Sequence, residues 1–261
     1  MLDVHLPHGS SHTWKDFFIH LATIVVGLLI AVGLEQMVER LHHRHQLAET
    51  RAALRAERDH NRKSFADDVD EYRRQVAAMI NNLAVLHFLQ QHPGTPQEKL
   101  PGILVWHAYR PTYSDAAWKT AQQSNVTALM PPDEVRSTDV LYELLMEFNA
   151  SYENVFPAVL RGRMYAVTDP DPTHLSPSQV SEEIGYAEEV LVRQVTTAAE
   201  MVRITLEEPD FGPGLTSAEL KKQLRTAEME GNPDLAAAVA ITNTRLPAGA
   251  QLPIPKPGAK P

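Results

Sequence analysis

Hydrophobic positions fall into two patterns along the chain. From Phe17 to Leu34 the sequence FFIHLATIVVGLLIAVGL is apolar apart from His20 and Thr23. After that run apolar residues recur at intervals of four and three, through Phe65, Val69, Tyr72, Val76, Met79, Leu83 and Leu86. The first pattern fits a helix surrounded by lipid, because eighteen helical residues rise about 27 Å, close to the thickness of a bilayer's hydrocarbon layer. The second is a heptad seam, which turns one stripe of a helix toward a packing partner. No Gly or Pro lies between Leu34 and Gln91, so the two patterns are expected on one unbroken helix ending at His92-Pro93-Gly94.

Traced back toward the apolar run, the seam meets Asn61, Arg58, Leu54, Arg51 and Leu47 and becomes mostly polar. This predicts a solvated stalk over 39–64, between a membrane-spanning segment over 17–38 and a packed domain over 65–246. Residues 1–16 form a tail before the span. The preceding MLDVHLPHGSSHTWKD is nearly neutral and Gly33-Leu34-Glu35-Gln36-Met37 offers no small-x-small cleavage site, so the run reads as a retained anchor rather than a removed signal. Trp14 and Phe17 sit where an interfacial aromatic belt is expected.

Further elements follow from punctuation. Ser114 is positioned to cap a short helix through Gln123 that carries Trp118, and Pro131-Pro132 opens a longer helix with a seam of Leu141, Leu145, Phe148, Tyr152, Val155 and Val159. Pro157 must kink or end it. Ser176, Pro177 and Gln179 form a capping box for a helix burying Val180, Ile184, Ala187, Leu191, Ala198 and Met201. Thr216 with Glu219 starts another helix, toward Gly231, and Asn232-Pro233 a last one through Leu246. The closing 247–261 is proline-rich and is expected to be disordered. No segment alternates as a strand does. The fold class expected is therefore all-α: a spanning helix continuing into an up-and-down bundle.

Charge sharpens this picture. Arg40 to Lys63 holds a surplus of four positive charges against a chain total of −9, leaving −13 elsewhere. An acidic bundle argues against nucleic acid as a partner. The basic segment, with Arg40, His42, His43, Arg44 and His45 nearest the apolar run, suits anionic headgroups. The bilayer is thus the first expected partner. A second copy is another, since Thr23, Gly27 and Ala31 recur every four residues and small residues at that spacing let helices approach in lipid. Basic residues after the run outnumber Lys15 before it, which by the positive-inside rule places the domain in the cytoplasm.

Candidate chemistry is sparse. His42 and His45 share a helix face, but two ligands fall short of a zinc site. Asp169 and Asp171 lack the glycine and terminal Glu of a calcium loop and read as a turn. Glu182, Glu183, Glu188 and Glu189 read as a solvated face. No P-loop, dinucleotide fingerprint, nucleophile elbow or zincin motif is present, so neither an enzyme nor a cofactor is expected.

The segments GLLIAVGLEQMVERLHHRH and AAWKTAQQSNVTALMPPDEV, with Leu141-Tyr142, resemble a family of uncharacterised bacterial single-pass membrane proteins. That resemblance implies an anchored helical protein of the bacterial inner membrane, with Trp118 as a packing residue, and carries no activity. The function expected is a self-associating anchored scaffold that presents its bundle to a protein partner. The alternative is a sensor-like bundle that takes a small ligand and transmits through the stalk.

Overall fold

A computed structural model describes residues 14–212, 214–223 and 233–254. Its spine is α1, Trp14–Gln91, one helix of 78 residues and about 117 Å at 1.5 Å per residue. It stops where expected, at a turn in which Gly94 takes φ 79°, a conformation that favours glycine. After it come α2 (Ala116–Gln123), α3 (Pro132–Glu153), α4 (Phe156–Thr168), α5 (Pro177–Glu207), α6 (Ser217–Gln223) and α7 (Pro233–Asn243). The fold is all-α, with no strand among the described residues.

Local chemistry accounts for most of these boundaries. Proline opens α3, with Asp133 and Glu134 in its first turn facing the positive end of the helix dipole. Pro157 splits the predicted seam helix in two, closing α3 at Glu153 and sitting in the first turn of α4. The capping box before α5 is complete: Ser176 accepts from the Gln179 amide, and Gln179 accepts from the Ser176 amide. Thr216 and Glu219 exchange the same pair of bonds at α6. The extension of α6 to Gly231 and the Asn232 cap lie outside the described residues, and α7 stops at Asn243, short of Leu246.

The chain reverses direction at each leg, but one leg is not a helix. Residues 103–115 return along α1 as an irregular strap. Side chains of α1 hold it at intervals: Asn82 exchanges two bonds with the Val105 backbone (2.7 and 3.0 Å), Gln75 donates to the His107 carbonyl (2.8 Å), Tyr113 donates to Asp68 (2.6 Å), and Asn61 exchanges two bonds with the Ser114 backbone (2.8 and 3.0 Å). Asn61, Asp68, Gln75 and Asn82 are spaced by seven, so they form one buried polar row beside the apolar seam. The helical path from Asn82 back to Asn61 is about 31 Å. The strap from Val105 to Ser114 covers about 30 Å only when fully drawn out. It therefore crosses the row almost straight.

With the strap returning to the near end, α3 and α4 run alongside α1 in the same direction and α5 comes back between them. The core reflects this: Phe65 packs edge-on against Phe148 of α3 (6.5 Å) and against Phe211 just after α5 (5.9 Å). Phe65, Val69, Tyr72, Val76, Met79, Leu83 and Leu86 are all buried, as are Trp118, Leu141, Phe148 and Tyr152. Against this core α5 presents Ala187, Ala198 and Ala199, whose small side chains allow close approach to its neighbours.

Three further boundaries differ from the sequence reading. Packing begins nearer the apolar run than residue 65: Leu54 and Asn61 are buried, and Arg51 and Arg58 are ion-paired to Glu134 and Glu208. The polar seam positions that suggested a solvated stalk are satisfied by the bundle itself. Ser114 is not the N-cap of α2; that place is taken by Asp115, while Glu57 reaches across from α1 to accept from the Ala117 amide (3.0 Å). The closing segment, expected to be disordered from 247, is docked through Leu252, whose backbone exchanges two bonds with Asn243 (2.7 and 2.8 Å). Ala250 and Leu252 are buried, so a proline-rich composition here supplies an extended edge rather than disorder. Residues 255–261 lie outside the described residues.

Candidate functional site

The region of α1 that no other part of the chain covers is its first half. Its apolar window has a mean hydropathy of 2.5 and is entirely unburied, so one helix here is long and apolar enough to cross a membrane. Phe17 and Leu34 are 55% and 59% exposed, values that water would penalise heavily at every turn of such a run. Thr23, Gly27 and Ala31 lie exposed on one face, and a Cβ placed on Gly27 would meet nothing within 4 Å. Thr23 spends its hydroxyl on the Ile19 carbonyl (2.9 Å), which leaves that face smooth and apolar.

Exposure continues past the apolar run. Met37, Val38 and Leu41 are more than half exposed, and about 20 Å of largely exposed helix separates Val38 from Arg51, with Leu47 turned against the bundle within it. We call this segment the neck. Arg40, His42, Arg44 and His45 stand exposed on it and His43 is half-buried. They do not converge. His45 pairs with Glu49 one turn on (3.1 Å), and no metal-sized group of His or acidic side chains occurs among the described residues.

Where the neck meets the bundle, charged groups are matched in detail. Arg51 grips Glu134 through two bonds (2.5 and 2.8 Å) and Arg58 reaches Glu208 (2.6 Å). Glu57 accepts from Ser114 (2.5 Å), the Ala117 amide and the Tyr142 hydroxyl (2.7 Å). Burial disfavours its charge, yet these donors outweigh the burial and hold its carboxyl below the usual range. Beside them a cleft of about 410 Å³ is lined by Arg51, Arg55, Arg58, Leu54, Leu141 and Tyr142. The space next to Trp118 and Tyr152 is filled. Trp118 lies parallel to Tyr142 (6.1 Å, 4°) and donates to Asp139, and Tyr152 packs on Tyr109 at 4.4 Å.

Comparison with protein-family models, with curated proteins and with solved structures gives no match. The chemistry must therefore be read from these residues alone.

Sequence reasoning missed the buried ionisable groups. Glu183, expected on a solvated face, is fully buried on α5, and neither carboxyl oxygen has a hydrogen-bond partner. Burial raises it to about 8; the nearby Trp106 indole offsets this only in part and does not reach hydrogen-bond geometry. Trp106 is itself pressed against α4, where a Cβ on Gly162 would come within 2.3 Å of its ring. Asp68 is likewise raised to about 6 by burial, with Tyr113 pulling the other way. Both follow one rule that composition hides: an acidic residue in phase with a buried row is buried too. Asp169 behaves as a turn residue, pairing with His174 (2.7 Å), as the missing calcium-loop ligands implied.

Proposed function

We propose that this chain is a membrane-anchored helical interaction protein of the bacterial inner membrane. Its first helix crosses the bilayer over about residues 17–38, copies associate through that helix, and the bundle is offered to a protein partner. One observation carries the reading: the exposed apolar run and the spine of the bundle are the same uninterrupted helix, so the bundle is fixed to its anchor without a hinge. The basic neck lies beside the headgroups. The excess of basic residues after the span favours a bundle in the cytoplasm. A sensor-like reading ranks second; the cleft beside Arg55 supports it, and the filled space around Trp118 and Tyr152 weighs against it.

Alkaline extraction of membranes tests the anchor. The full chain is expected to stay with the lipid, and Leu28→Arg, placing a charge costing about 3 kcal/mol at mid-span, to shift it toward the soluble fraction. Release of the unaltered chain by alkali overturns the reading. The sequence has no cysteine, so Ser124→Cys, at an exposed position, then reports the side of the bundle to a membrane-impermeant thiol reagent. Protection in intact cells supports the cytoplasmic placement and labelling there refutes it.

A further inference from the structure

We infer that the neck is one strand of a parallel two-stranded coil completed by a second copy of this chain. The inference deepens the self-association just proposed and rests on it. From the last residue of the apolar run onward, Leu34, Val38, Leu41, His45, Ala48 and Ala52 continue in steps of four and three, and every one of them is exposed. Assigned to heptad positions, Val38 and His45 fall at a and Leu34, Leu41 and Ala48 at d. The same frame runs back through Ala31 and Gly27 into the span, so the face is continuous for about four heptads across the lipid boundary. A lipid-facing helix needs no such face in water, and Leu41, beyond the span, has no cover among the described residues.

A second copy fits as the occupant for three reasons. Two chains anchored in one bilayer by the same span enter it in the same direction, so their necks are parallel and in register. The bundle does not obstruct the face along the neck: the bundle-facing Leu47 and Leu54 fall at c, about 130° round the helix from the seam midline at 100° per residue, and the ion-paired Arg51, at g, flanks the seam only where the neck ends. Charge is complementary in that register alone. Arg44 falls at g and Glu49 at the following e, so Arg44 of each copy meets Glu49 of the other, twice per dimer. Among the described residues of one chain Arg44 has no ion-pair partner, and Glu49 has only His45. His45 at an a position is the single polar residue of the seam within the neck. There it sets register at some cost in stability, as polar a positions do.

Disulfide cross-linking in membranes carrying the full chain tests this. Val38→Cys, Leu41→Cys and Ala48→Cys are each expected to cross-link on the order of tenfold faster than Glu39→Cys, His43→Cys and Gln46→Cys, because only the a and d positions face the partner. A fast set on a different face leaves self-association standing and overturns this seam. Uniformly slow cross-linking at all six positions overturns both. In the Leu41→Cys background, Arg44→Glu is expected to slow the reaction and Glu49→Arg, added to it, to restore the rate. Failure to restore refutes the parallel register. All substitutions lie on the neck before Arg51, at exposed positions except the half-buried His43 and Gln46, and an unchanged circular-dichroism melt confirms that the fold is intact.

Discussion

The two halves of α1 share one backbone and one repeat, yet only the second is the spine of a domain. Beyond Arg51 the helix is covered by the strap, α3 and α5; before it, Leu47 alone is a hydrophobic side chain packed on the core among the described residues. Helix propensity does not mark the packed half by itself, since the β-branched apolar run is helical as well. Greasiness separates them in the opposite sense to a soluble core, the more apolar half being the exposed one. What marks the packed half is the polar row from Asn61 to Asn82. The amides of Asn61, Gln75 and Asn82 are there because a non-helical strap must have its backbone groups satisfied somewhere, while Asp68 in the same row holds the Tyr113 hydroxyl.

The largest expected difference between the halves is in core truncation. Phe65→Ala removes a fully buried ring that touches two others and should cost about 3–5 kcal/mol, read from denaturant unfolding of the bundle. Asn82→Ala comes next: it strands the Val105 amide and carbonyl and should cost about 2–3 kcal/mol, with hydrogen-exchange protection lost first at Val105. Gly162→Ala drives a methyl into the Trp106 ring and should cost about 1–3 kcal/mol in the same assay.

Glu183 gives a pH test with a definite sign. Its folded pKa of about 8 lies above the ordinary value of 4.5, so between those values the folded state holds a proton that the unfolded state has lost. Stability therefore falls as pH rises from about 4.5 to about 8, by a few kcal/mol at most, and levels off above. Glu183→Gln removes that slope. Melting temperatures of the two proteins should diverge steadily from pH 5 to pH 8, and parallel curves would show that Glu183 is not held neutral. Smallest of all, Leu29→Ala on the exposed half should leave bundle unfolding within about 0.5 kcal/mol of the parent. A larger effect would mean that the first half of α1 is not independent of the bundle.

Much of this architecture is legible from spacing and punctuation. The end of α1, the division at Pro157, and the capping boxes at Ser176 and Thr216 all follow from local chemistry that tertiary contacts do not override. The apolar seam of α1 was equally plain. Its polar companion was not, because Asp68, Gln75 and Asn82 look like surface residues unless the frame through Leu54 and Asn61 is carried forward as well as back. The strap is silent for a related reason: HAYRPTYS has no periodicity, and its position is dictated by side chains some twenty to fifty residues earlier. Glu183 was misread because four acidic residues in two pairs suggest solvent, whereas helical phase points one of them inward. At the candidate site the sequence held the apolar run and the neck charges, but the proposed seam along the neck required knowing which face the bundle leaves open.

The unbroken course of α1 also has a mechanical meaning. From Leu34 to Gln91 the helix extends about 85 Å with neither proline nor glycine to bend it. A lean of about 10° at its exposed end, well inside the range spanning helices adopt, swings the far end through about 15 Å. In the anchored arrangement proposed above the molecule is a lever with its short arm in the apolar layer, and a small change of angle there arrives at the bundle multiplied into a displacement larger than the width of a helix.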